Sequence, residues 1–157
     1  MEFFFSVSAL DPGSLQQVLS QYEQYDGAAT GLHFSAFEGL MQGFIDLVVR
    51  SNDQYFIVDY KSNRLGESAE HYSQQSLSEA IKSHRYNLQY LIYTVALHRY
   101  LGKRVADYNY EKHFGGVSYL FVRGMRPESS NGVWFDKPPF GVIDALDKLM
   151  QTSQAVA

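Results

Sequence analysis

Cysteine is absent from this chain of 157 residues. That excludes disulfides, thiol catalysis and a cysteine-ligated iron–sulfur cluster. Long apolar runs are absent too, and nothing approaches the ~20 residues that span a bilayer as a helix. The opening MEFFFSVSAL has no basic n-region and reads as a strand, not a signal peptide; the expected location is the cytoplasm. Positive charge is scarce: 13 Lys and Arg stand against 17 Asp and Glu, for a net charge of -4. A domain that lives on phosphate contacts should be basic. An enzyme whose site concentrates acids is still allowed, but a small acidic domain would hold long DNA weakly and would need its substrate delivered. No G-x-x-x-x-G-K-[ST] loop is present, so ATP hydrolysis is not expected. Internal repeats and low-complexity tracts are also missing.

What is present is apolar and aromatic. Hydrophobic residues make up 45% and charged residues 19%, with 12 Tyr and 11 Phe. This composition and length suit one domain with a buried core. Tyrosine can pack in that core or stack on bases. The phenylalanine-rich segment from Glu2 to Val7 reads as a strand. Pro12-Gly13 breaks the chain, and Ser14 can cap a helix to about Tyr25, with Leu15, Val18, Leu19 and Tyr22 at helical spacing. Strands follow at about 33–37, 40–50 and 54–61, the last two apolar on both faces and therefore expected in the middle of a sheet. A polar loop from Asn63 to Ser76 leads to one long helix from about Leu77 to Leu101. Residues 115–123 form another strand, 126–139 a loop, and about 141–151 a final amphipathic helix. The order β-α-β-β-β-α-β-α predicts an α/β fold: one mixed central sheet flanked by helices.

Residues 43–61, GFIDLVVRSNDQYFIVDYK, carry the most information. They read as two strands around a tight turn at Asn52-Asp53. A symmetric loop pairs Arg50 with Tyr55 and, by extension, Asp46 with Asp59. Residues opposed across an antiparallel ladder hold their Cβ atoms ~4.5–5.5 Å apart on one face. Two carboxylates that close, within apolar strands, repel and are poorly solvated. A divalent cation between them relieves both problems. Hard oxygen ligands suit Mg²⁺, or Mn²⁺. Lys61, two residues beyond Asp59, shares its face and could orient or help deprotonate a water, or offset developing charge. Two acids, a lysine and an implied metal make a phosphodiester-cutting site; the alternative is a hairpin with exposed acids.

Other candidates are less constrained. Gln89 and Tyr93 lie four apart on one helix face, with Arg85 a turn earlier. This row could reach DNA phosphate, position Lys61, or be an ordinary polar face. Ser62, Asn63 and Arg64 follow the lysine and either contact the scissile strand or form a turn. Glu2 is either a further acid ligand or an exposed residue. The five histidines show no metal-ligand spacing and read as structural.

These residues bring a family into view. Asp46, then Asp59-Tyr60-Lys61, then Gln89-x-x-x-Tyr93 resembles the RecB-type branch of the PD-(D/E)XK nucleases, and the similarity is strongest from about residue 43 to 124. The resemblance implies a restriction-endonuclease-like core and Mg²⁺-dependent cleavage of DNA strands delivered by a helicase portion of the same chain in double-strand break repair; single strands cut without base specificity are expected, since the sequence shows no recognition helix or basic groove. It implies that Asp46, Asp59 and the Tyr60 backbone carbonyl bind metal and that Lys61 is catalytic. Gln89 and Tyr93 take the branch-specific helix positions, and Glu2 matches an acidic position on the first core strand. A histidine-bearing helix upstream of that strand is not in this sequence, so residues 1–157 read as a single nuclease domain from a longer helicase-nuclease chain. Implied partners are RecC/RecD-type subunits and the recombinase RecA. A protein-interaction module docking these partners is the rival function.

Overall fold

The structure, a computed structural model, describes residues 1–151. Strand β1 (Glu2–Leu10) is followed by helix α1 (Pro12–Leu19), β2 (Phe37–Phe44), β3 (Leu47–Ser51), β4 (Gln54–Lys61), α2 (Gln74–Ser83) and α3 (Tyr86–Arg104). The chain continues through the short α4 (Tyr110–His113), β5 (Phe114–Phe121), β6 (Val133–Asp136) and α5 (Phe140–Met150). Strands β3-β4-β5-β6 form a four-stranded sheet in that order, and β1-β2 form a separate antiparallel pair. The central β4–β5 pair is parallel, and its neighbours are antiparallel. This is the expected mixed α/β architecture. A parallel pair needs a long crossover, which α2, α3 and α4 supply.

The turn between β3 and β4 holds Asn52 and Asp53 at φ of 48° and 62°. Two successive left-handed residues suit the twist of a two-residue hairpin. They fix the anticipated register, with Arg50 opposite Tyr55 and Leu47 opposite Val58. At the parallel seam, Gly115 and Gly116 let the strands close up. A Cβ on Gly115 would sit 2.3 Å from the Phe56 ring, and Gly116 has φ of 135° with Phe135 against it. Beyond this irregularity the ladder places Asp59 beside Tyr119 and Lys61 beside Phe121.

Several sequence-based boundaries differ from the structure. The expected strand over 40–50 is two strands, because the chain bends at Ile45-Asp46 and passes from one sheet to the other. β3 is consequently an edge strand, with Leu47 and Val49 exposed. No strand forms over 33–36; β2 begins at Phe37. The first helix ends at Leu19, and its cap is Asp11, whose carboxylate accepts from the Ser14 amide at 3.0 Å. Pro12 opens that helix, where its missing N–H costs nothing. The single long helix is divided in two by Arg85, whose φ of 56° is incompatible with a continuous α-helix. The 126–139 loop contains β6.

One core unites these parts. Leu15 and Leu19 of α1, Ile57 of β4, Leu91 and Val95 of α3, Val117 and Phe121 of β5, and Val142, Ile143 and Leu146 of α5 are all buried in it. Helix α3 therefore lies against the sheet, and its polar residues near the sheet point at the end of β4.

Candidate active site

Asp59 lies near the end of β4 and is only 3% exposed. Burial, the largest influence, pushes its carboxyl above the ordinary range; Lys61 opposes this and Asp46 adds to it. The Lys61 ammonium stands 2.7 Å from Asp59 Oδ2. The two form a buried ion pair, and Oδ2 accepts no hydrogen bond from any other group among the described residues. A buried carboxylate oxygen in this condition is costly.

Lys61 is itself enclosed. Its Nζ donates to Gln89 Oε1 at 3.1 Å, and it sits 4.1 Å from the Tyr86 ring centre and 4.8 Å from that of Tyr119. Aromatic faces attract a cation through their quadrupole. Gln89 Oε1 also accepts from the Tyr119 hydroxyl at 2.8 Å, while Gln89 Nε2 donates to Tyr93 Oη at 3.1 Å. The reverse amide orientation would turn an NH₂ group toward an ammonium, so the network fixes this one. The i,i+4 pair predicted on one helix face thus becomes a clamp on the lysine.

Asp46 is exposed and sits one residue beyond the last β3–β4 pair, in the bend. The expected cross-ladder opposition to Asp59 therefore ends one rung short. Instead, Asp46 Oδ2 accepts the Tyr60 amide of β4 at 3.0 Å. That bond ties the first acid to the strand carrying the second, within electrostatic reach of Asp59 and Tyr93. Burial raises the Tyr93 hydroxyl, with Asp59 and Asp46 adding to the effect.

Around this centre, Asn63 Oδ1 accepts from the Tyr86 hydroxyl at 3.1 Å. The Ser62 carbonyl accepts from Arg123 Nε at 2.8 Å. Arg85 donates to the Thr30 carbonyl at 3.1 Å and lines a groove of about 360 Å³ with Gln89, Tyr93 and Phe3. Glu2 does not join the pair of aspartates. It alternates outward on β1, where its carboxylate accepts from Gln42 Nε2 at 2.8 Å, while Phe3 points inward against Tyr93.

Two contributors escaped the sequence reading, Tyr119 and Tyr86. Tyr119 sits in an apolar strand that reads as core and Tyr86 in a polar stretch ahead of the helix stripe, and only the parallel register and the break at Arg85 bring them to Lys61. Burial is the main reason the Tyr119 hydroxyl is raised far above its ordinary range.

The donor set fits a hard divalent cation. Mg²⁺ is held through one or two carboxylates and keeps several waters. Among the described residues no group of three or more His, Cys, Asp or Glu is placed to hold a metal, so a cation at this site would have Asp46 and Asp59 as its carboxylate ligands. Asp59 Oδ2 already faces one cation, Lys61 at 2.7 Å, and takes no other hydrogen bond, which leaves it lone pairs for a second positive partner.

Comparison with known proteins gives the family. Residues 9–153 match the profile of the PD-(D/E)XK nuclease superfamily. The chain is 44% identical over 151 residues to the RecBCD enzyme subunit RecB of Escherichia coli K12, covering 95% of this chain and 13% of that protein. It is 48% identical over 116 residues to the RecB subunit of Haemophilus influenzae, covering 74% and 10%. A RecB subunit of Mycobacterium tuberculosis is 42% identical over 140 residues, covering 84% and 13%. The chain thus spans a small part of the length of these relatives. The matched span takes in both aspartates, Lys61 and the Gln89–Tyr93 pair, and the chain belongs to the PD-(D/E)XK nuclease superfamily.

Proposed function

We propose that this domain hydrolyses DNA phosphodiester bonds with Mg²⁺ held by Asp46, Asp59 and the Tyr60 carbonyl, and that it works as an exonuclease on single strands. The observation that carries this reading is the buried Asp59 Oδ2, which lacks a hydrogen bond and stands beside Lys61. When bound, the ion supplies Lewis acidity to a phosphoryl oxygen and makes a water more acidic. Asp46 and Asp59 hold the negative charge that recruits it. Lys61 meets a carboxylate, an amide oxygen and two ring faces, the surroundings of an ammonium ion. Its role is to offset charge on the phosphoryl group and orient the attacking water. Water attack forms one P–O bond and breaks the bond to the leaving oxygen. Gln89 and Tyr93 keep Lys61 aimed, and the tyrosine rings exclude bulk water.

The similarity to RecB subunits supports a wider setting: strands fed by a helicase portion of the same chain, RecC/RecD-type subunits and RecA as partners, in cytoplasmic double-strand break repair. No helix among the described residues is long and apolar enough to cross a membrane. A docking role is favoured by one observation: Phe4, Leu40 and Phe44 stand 54–65% exposed on the outer face of β1–β2.

The test is degradation of end-labelled single-stranded DNA. Mg²⁺-dependent cleavage lost in Asp59→Ala and Lys61→Ala supports the reading. Equal cleavage in chelator, or by these variants, refutes it.

A further inference from the structure

Past the end of β4, a polar cavity of about 260 Å³ opens, lined by Arg64, Arg123 and Arg126 with Glu67 and Tyr72. Three of the 13 basic side chains of a net acidic protein converge here. The cavity is fastened to the catalytic strand. The Val122 amide donates to the Lys61 carbonyl at 3.1 Å, and Arg123 Nε to the Ser62 carbonyl at 2.8 Å. Arg126 Nη1 donates to the Met125 carbonyl at 2.7 Å and the Arg123 carbonyl at 3.3 Å. Each of these two guanidiniums is thus positioned through one nitrogen, and its other N–H groups have no protein acceptor among the described residues. The cavity also lies at the carboxyl ends of the parallel strands β4 and β5, where open α/β sheets place ligands.

We infer that this cavity seats a backbone phosphate of the DNA strand, next along from the phosphate presented to Lys61. The inference rests on the nuclease reading of the Asp46–Asp59–Lys61 site and adds the path the strand takes away from it. Planar guanidinium forks match phosphate oxygens pairwise, which a lysine cannot do. The one carboxylate present, Glu67, pairs with Arg64 in an exposed i,i+3 contact. Such pairs are weak, and an incoming phosphate displaces it. Until then Glu67 competes with DNA. The seat reads no base; it holds the strand and sets its direction through the site.

The test uses the 157-residue chain and a fluorescein-labelled oligothymidylate, with binding followed by anisotropy in chelator so that nothing is cut. Arg126→Ala and Arg123→Ala should each weaken binding roughly tenfold, the scale of one charged hydrogen-bonded contact. The slope of log affinity against log salt should flatten by about 0.7 per arginine removed. Glu67→Gln should tighten binding. Arg126→Lys should keep the salt slope while losing affinity, which a folding defect would not reproduce. Wild-type affinity and slope in the Arg123→Ala/Arg126→Ala double variant, or no oligonucleotide binding by the wild-type chain, overturns the inference. Cleavage with Mg²⁺ by Asp59→Ala, measured separately, reports on the catalytic reading alone.

Discussion

Two aspartates depend on consecutive residues of α3, Asp136 directly through Tyr90 and Asp59 through Lys61 and Gln89, and they are treated in opposite ways. Asp136, at the end of β6, has a carboxylate oxygen that accepts three hydrogen bonds: from Tyr25 at 2.8 Å, Tyr90 at 2.9 Å and Gln24 at 3.0 Å. Burial is the main reason the Tyr25 and Tyr90 hydroxyls are held far above their ordinary range, and Asp136 adds to it. Asp59, two strands away, has a buried oxygen whose partner is the Lys61 ammonium at 2.7 Å and which accepts from no other group among the described residues. Gln89 and Tyr90 are adjacent in sequence, so one helix serves both sites: Gln89 steadies the lysine of the unsatisfied one, and Tyr90 completes the satisfied one. The Asp136 Oδ2 atom, with three donors on it, has no capacity left for a ligand. An unsaturated one held in place by its surroundings is poised for a cation. On the proposed reading, the difference separates a structural acid from a catalytic one without appeal to sequence position.

The largest expected effect breaks the comparison directly. Asp59→Ala or Lys61→Ala should lower Mg²⁺-dependent DNA cleavage on the order of 10²–10³-fold, while Asp136→Asn should leave cleavage per folded molecule near wild type. Next, Gln89→Leu leaves Lys61 and the Tyr119 hydroxyl without their shared acceptor. A penalty of about 1–3 kcal/mol on the placement of Lys61 should appear as a fall in kcat of about tenfold or more, with the KM for DNA little changed. In stability the order reverses: Asp136→Asn should cost about 1–3 kcal/mol in urea denaturation, because two buried hydroxyls lose a charged acceptor.

The smallest effect concerns pH and lies away from both acids. His98 packs among Tyr108, Tyr110 and Phe140, and burial, the leading cause, pulls its pKa below the ordinary value. The unfolded chain therefore protonates first. Stability from this group is full above about pH 6.5, the unfolded value, and declines as pH falls toward the folded one. His98→Gln should flatten the loss of stability between neutral and mildly acidic pH. An unchanged slope would show that His98 titrates alike in both states.

What the sequence revealed was local. The Asn52-Asp53 turn and the Arg50–Tyr55 register follow from turn chemistry and period-two alternation. Asp59 and Lys61 share a face by the same period, and Gln89 reaches Tyr93 by helical spacing. Long-range or strained features stayed hidden. The chain is apolar on both faces on either side of Asp46, so nothing marks the bend that moves Asp46 off the ladder. Arginine is a good helix former, so the left-handed Arg85 gave no warning. Tyr119 reaches Lys61 through a parallel pairing that spans the whole helical crossover, and its own segment only says buried strand. Glu2 stayed open between ligand and exposed residue because the strand alternates, and which half of the alternation faces the core depends on packing such as that of Phe3 against Tyr93.

The central claim is that Asp59, not merely any buried acid, is the cation's anchor. Calorimetric titration of Mn²⁺ into the wild-type chain, Asp59→Asn and Asp136→Asn tests it most directly. The account predicts saturable uptake by the wild type and by Asp136→Asn, and none by Asp59→Asn. Equal uptake by Asp59→Asn would contradict it.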